Sequence, residues 1–185
     1  MQSMDDAVDS DEALMTRYSR GDVRAFETLY RRHEMRVWRY IYRSVCNQAS
    51  ADEILQEVWL GVVRSSARYA PTARFTTWLY TLAHHQIVDR YRRTKPDHSS
   101  EALLELAADS VDEPSRRAES SQHADALIAA VEQLPIEQRE VFLLHAEGEM
   151  SLEEIALATA ERYETVKSRL RYARSKLRLL LQEHV

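Results

Sequence analysis

Apolar residues recur three and four positions apart through most of this chain, a spacing that suits packed α-helices and little else. The clearest case is Val166, Leu170, Ala173 and Leu177, which fall on one stripe of a helix running from Tyr163 to Gln182. Three Gly and four Pro in 185 residues are too few turn formers for a β-rich fold, so long helices joined by short connections are expected. The hydrophobic share of 44% suffices for two modest cores but not for one large interior.

Leu14, Met15, Tyr18 and then Val23, Phe26, Leu29, Tyr30 read as two helices between Glu12 and His33, interrupted at Gly21. Met35 to Cys46 continues the pattern through Val37, Trp38, Ile41, Tyr42 and Val45. Ser50 and Glu53 have the spacing of a capping box, which predicts a helix start at Ser50 ahead of Ile54, Leu55, Val58, Trp59 and Val62. After Pro71 the next helix is expected from Thr76 to Arg93, stopped by Pro96. Periodicity then fades between Asp97 and His123, which reads as a linker with a short helix at Glu101 to Ala108. Four helices follow: Ala124 to Gln133, Pro135 to Ala146, Ser151 to Thr159, and Tyr163 to Gln182. The expected fold class is all-α: two small helical domains joined by a flexible acidic linker, the C-terminal one a helix-turn-helix.

The net charge of −5 hides a strong segregation. Arg74 to Lys95 holds five basic residues against one acid, and Glu161 to Arg178 holds seven against two. Pro96 to Asp125 holds eight acids against Arg116 and Arg117. Two basic modules flanking an acidic connector fit a nucleic-acid partner despite the acidic total. The first fifteen residues carry five acids and no base, unlike a signal peptide, and no apolar run reaches membrane-spanning length. Cys46, the single cysteine, rules out an internal disulfide, reads as a small core residue and fits a reducing cytoplasm. A soluble cytoplasmic protein without membrane insertion is expected.

In the C-terminal module Ser151 and Glu154 cap a short helix, a turn at Ala160 to Arg162 follows, and the next helix points Glu164, Lys167, Ser168, Arg171, Ser175 and Arg178 away from its apolar stripe. A basic, small-polar face on a supported helix can enter a major groove. Ser168 and Arg171 are the candidates for base contact; Lys167, Arg169, Arg174 and Arg178 are the candidates for phosphates. A solvated basic face is the plainer alternative. His84, His85 and Asp89 do not make a metal site, because no second ligand cluster accompanies them and arginines lie nearby. With no phosphate-cradling glycine loop, nucleophile motif or redox pair, neither catalysis nor a cofactor is expected.

Leu134 to Phe142 (LPIEQREVF), Ser151 to Ala156 (SLEEIA) and Thr165 to Leu170 (TVKSRL) together resemble region 4 of an extracytoplasmic-function (ECF, group IV) RNA polymerase sigma factor. Gly21 to Tyr30 (GDVRAFETLY) resembles the start of region 2, and Asp52 to Val58 (DEILQEV) its polymerase-binding helix. Phe75 to Tyr80 (FTTWLY) with Asp89 and Arg90 resembles its promoter-melting part. The resemblance implies a region 2 domain (12–95) and a region 4 domain (124–185); outside it lie an acidic N-terminus expected to be disordered (1–11) and the acidic linker (96–123). It implies core RNA polymerase and promoter DNA as partners, with an anti-sigma factor or a serine/threonine kinase as controlling partner. Asp52, Glu53, Gln56 and Glu57 would meet the polymerase, a polar stripe suited to a basic coiled coil. Phe75, Trp78, Tyr80, His85, Arg90, Arg92 and Arg93 would meet the minus-10 element. Lys167, Ser168, Arg169, Arg171, Arg174 and Arg178 would meet the minus-35 element.

Departures from the family pattern sharpen these expectations. Ser50 stands where relatives usually have Asp, which makes it a candidate phosphosite whose modification would restore the missing negative charge. Thr76 and Thr81 replace usually basic residues, His84 and His85 replace an Arg-Asn pair, and Ala160 and Arg162 replace the turn's usual Gly and Pro. The acidic linker and ends, lying over the basic faces, are expected to weaken DNA binding by the free protein. Two other functions fit parts of the pattern: a conventional helix-turn-helix regulator with residues 12–95 as a sensing domain, and a helical interaction protein that binds no DNA.

Overall fold

The computed structural model describes residues 9–94 and 120–182, and every described regular element is helical. The order is α1 (Asp11–Ser19), α2 (Val23–Val45), α3 (Gln48–Ser65), a 3-10 turn (Ser66–Arg68), α4 (Phe75–Thr94), α5 (Ser120–Glu132), α6 (Ile136–Ala146), α7 (Leu152–Thr159) and α8 (Tyr163–Gln182). The short helix expected at Glu101 to Ala108 and the bulk of the linker lie outside the described residues.

Each start and stop has a local cause. Ser10 Oγ accepts from the Ala13 N–H to open α1, and the Asp22 carboxylate accepts from the Arg24 and Ala25 N–H groups to open α2. Gly21 between them sits at φ 100°, a conformation that glycine adopts at little cost. From Val23 onward α2 is one helix of 23 residues, so no break separates His33 from Met35. It ends at Cys46, in the left-handed region at φ 52°. Helix α3 starts earlier than expected: Asn47 is its cap, with Oδ1 accepting from the Ser50 N–H at 2.9 Å, so Ser50 lies inside the first turn. Asn at Cys46's flank out-competes the Ser50–Glu53 box because it caps without shortening the helix. The first turn of α4 is capped from outside, its Phe75 N–H donating to Glu12 Oε1 of α1 at 2.7 Å.

Helices α1 to α4 bury Leu14, Met15, Leu29, Val37, Ile41, Ile54, Val58, Val62, Leu79 and Ala83 against one another. Helices α5 to α8 do the same with Val131, Leu134, Val141, Leu144, Ile155, Val166, Leu170, Ala173 and Leu177. At roughly 1.5–3 kcal/mol for each large apolar side chain removed from water, these clusters dominate the fold's stability. The two groups also touch, through α2 with α5 and α6 and through α4 with α7, and their buried residues form one continuous cluster.

Candidate polymerase and nucleic-acid interfaces

Helix α3 exposes Asp52, Glu53, Gln56 and Glu57 on one side, as their spacing predicts. Asp52 Oδ1 accepts from Trp38 Nε1 at 2.7 Å, and Glu53 Oε2 lies 2.5 Å from Arg90 Nη1 of α4. Beside them is a groove of about 480 Å³ lined by Phe26, Tyr30, Leu55, Trp59, Leu60 and Val63, with Asp52 and Gln56 also lining it. Trp59 meets Phe26 edge-on with ring centroids 5.7 Å apart and Tyr30 at 4.9 Å. Sequence reasoning picked the acidic stripe and missed this apolar neighbour. The signal was available in Leu60 and Val63, which interrupt the polar side of α3.

Ser50 Oγ lies 3.4 Å from Arg90 Nη2, so Arg90 bridges the start of α3 to α4. The residues expected at the minus-10 element separate into two sets. Phe75 and Tyr80 are buried, at 0% and 1% exposure, and Trp78 is half-buried between Phe75 and Tyr69. His85, Arg90, Arg92 and Arg93 are exposed along the outer side of α4. Burial, with His84 alongside, holds the His85 imidazole below its ordinary pKa against the opposing pull of Asp89.

In the C-terminal half, Ser151 and Glu154 form the expected reciprocal cap of α7, and Ala160 ends it at φ 56° where a glycine is usual. Val166, Leu170, Ala173 and Leu177 all face inward from α8, while Lys167, Arg171, Arg174 and Arg178 are exposed and Ser168 and Arg169 are half-buried. Three of these cations have partners: Lys167 lies 3.7 Å from Glu164, Arg169 lies 3.0 Å from Glu161, and Arg174 Nη2 lies 2.9 Å from His145 Nε2. The Arg171 guanidinium covers its neighbour Tyr172, 4.9 Å from the ring centroid.

Sequence reasoning missed the joint between the halves. Glu147 sits between Arg39 and Arg43 of α2, within 3.4 Å of the first and in hydrogen-bond contact with the second. Arg36 donates to the Glu147 carbonyl at 3.1 Å and lies 2.6 Å from the Glu149 carboxylate. Arg74 donates to the Glu149 carbonyl at 2.7 Å and the Glu154 carboxylate at 2.9 Å, and the Thr77 hydroxyl donates to Glu154 at 2.5 Å. Burial works to raise the Glu154 pKa, but Thr77, the Ser151 N–H and Arg74 outweigh it and bring it down to about 2. His84 Nδ1 lies 2.7 Å from Glu140. Gly148 packs so closely that a Cβ there would stand 3.1 Å from the Tyr80 ring. Cys46, expected in the core, is instead half-buried at this joint, its Sγ 3.4 Å from Arg139 Nη1.

Both halves of the chain match known families. Sigma-70 region 2 matches residues 29–96, and Sigma-70 region 4 matches residues 124–177. RNA polymerase sigma factor CarQ of Myxococcus xanthus is 34% identical over 178 residues, 91% of this chain and 96% of the relative. The ECF sigma factor SigW of Bacillus subtilis is 27% identical over 89% of this chain and 92% of its own. Among solved structures, CnrH in complex with the cytosolic domain of CnrY superimposes with a TM-score of 0.66 at 22% identity, covering 96% of this chain and all of that one. The Bartonella quintana sigma factor RpoE, solved with the anti-sigma factor NepR, also gives 0.66, at 17% identity over 85% of this chain and 96% of that one. With both regions matched in order and a full-length relative above 30% identity, this chain belongs to the ECF sigma factors, the proteins that direct promoter-specific transcription initiation.

Proposed function

We propose that residues 12–95 dock on core RNA polymerase through Asp52, Glu53, Gln56 and Glu57 and open the minus-10 element, while residues 124–185 read the minus-35 element. Residues 96–123 link them. The observation that carries this reading is the exposed basic face of α8, set on a capped helix-turn-helix and separated from an exposed acidic stripe on α3. The chain acts in the cytoplasm by recruiting an enzyme, without catalysis of its own. Promoter-specific run-off transcription with purified core polymerase tests the reading. Asp52→Ala with Glu57→Ala should lower output through polymerase affinity. Arg171→Ala should cost about 1–3 kcal/mol of binding to minus-35 duplex and relax specificity at one position. Tight, symmetric operator binding without polymerase would instead favour a conventional regulator.

An anti-sigma factor is the proposed controlling partner; the reading is supported by two structural relatives, one described bound to an anti-sigma factor and one to a cytosolic domain. The apolar groove beside the α3 stripe is the surface such a partner would cover. Ser50 is the proposed phosphosite, supported by its place in the first turn of α3 and by Arg90 nearby, where a phosphate would gain both the helix dipole and a guanidinium. Phosphorylation would add negative charge to the polymerase-facing stripe. Equal core-polymerase affinity for Ser50→Glu and Ser50→Ala would overturn this switch.

A further inference from the structure

We propose that the arginine stripe Arg36, Arg39 and Arg43 of α2, together with Arg74, is a second track for the phosphates of the opened DNA strand, and that Glu147, Glu149 and Glu154 occupy it as phosphate mimics in the free protein. This deepens the assignment of residues 12–95 to promoter opening and rests on it.

Arg36, Arg39 and Arg43 are three and four apart, so they lie along one side of α2, and no acid of α2 is paired with them. The groups that satisfy them come from one short segment more than a hundred residues away. That segment offers carboxylates at Glu147, Glu149 and Glu154 and the carbonyls of Glu147 and Glu149, acceptors of the kind a sugar-phosphate backbone supplies. Arg36, Arg39 and Arg74 stay between a third and a half exposed while paired, so a polyanion can reach each guanidinium and compete for it.

Under the same segment lies an aromatic pair, Tyr80 and Tyr40, with ring centroids 5.3 Å apart. Tyr80 is sealed beneath Gly148, and its buried hydroxyl has no hydrogen-bond partner among the described residues. Lifting α6 and α7 away would uncover four guanidiniums beside the Tyr80 ring. A charged track with an aromatic platform is the pattern that grips single-stranded nucleic acid, because bases stack while phosphates pair. Duplex DNA, with its bases already stacked, gains less from the ring.

The test is fluorescence anisotropy of a labelled single-stranded oligonucleotide and its duplex, titrated with full-length protein over a salt series. Glu147→Gln with Glu149→Gln should raise single-strand affinity about tenfold by freeing the track. Adding Arg39→Ala and Arg43→Ala should remove that gain and lower the salt slope by about 1.4, two phosphates at roughly 0.7 each. Arg39→Lys with Arg43→Lys should keep the slope, which separates lost charge from lost fold. No gain from the glutamine variants, or an unchanged slope after arginine removal, overturns the proposal. A duplex gain equal to the single-strand gain overturns its single-strand assignment. Wild-type run-off transcription with core polymerase reports separately on the promoter-opening reading.

Discussion

At single residues, the start of α3 shows how neighbouring side chains compete for one role. Asn47 and Ser50 both have oxygen acceptors suited to a helix start, yet only Asn47 precedes the first N–H groups and bonds back to one. Asn47→Ala should therefore destabilise the protein by about 1 kcal/mol, while Ser50→Ala should stay within about 0.5 kcal/mol; urea unfolding midpoints distinguish them. That difference matters for Ser50, since a hydroxyl with no capping duty is available to other chemistry. Ala160 presents the opposite case. Its φ of 56° costs an L-residue roughly 1–2 kcal/mol, partly offset because glycine loses more entropy on folding. Ala160→Gly should raise stability by about 0.5–1 kcal/mol, read as an upward shift of the thermal midpoint.

Among the elements, α8 was the most legible in sequence, because its stripe, its polar face and the cap of α7 are all short-range patterns. Residues Phe75 and Tyr80 were less so: an aromatic at helical spacing serves equally as core or contact, and only the partner helix decides. The joint between α4 and α7 could not be read at all, since Arg74 and Glu154 are 80 positions apart and each looks like ordinary surface charge. Its energetics are open to measurement through Glu154, whose carboxyl is held at about 2 against an ordinary value of 4.5. A depressed carboxylate stabilises the fold fully above the ordinary value and stops doing so as pH falls through the folded one. Part of that depression comes from the Ser151 N–H within α7's own cap, and the rest from Thr77 and Arg74 across the joint. Glu154→Gln should thus be less stable than wild type above about pH 4.5, with the gap closing as pH falls toward about 2; chemical unfolding at stepped pH measures it.

For the whole molecule, the central question is what holds the two halves together, and the single cysteine offers a direct probe. Cys46 closes α2 beneath Arg139, which also donates to the Glu132 and Leu134 carbonyls at the α5–α6 turn. Burial raises the thiol pKa, and the neighbouring Arg139 opposes this only in part. Separation of the halves would remove both influences, and burial is the larger, so the thiol would become more acidic as well as more accessible. Both changes speed alkylation, which proceeds through the thiolate. If the acids of the 147–154 segment hold the halves closed, Glu147→Gln with Glu149→Gln should accelerate reaction of Cys46 with iodoacetamide several-fold at neutral pH, and added salt should do the same to wild type by screening the half-exposed pairs. Alkylation rates that respond to neither change would place the closing energy in the buried contacts of Tyr80 and Gly148 instead, and the charged pairs would then set only the register of the joint.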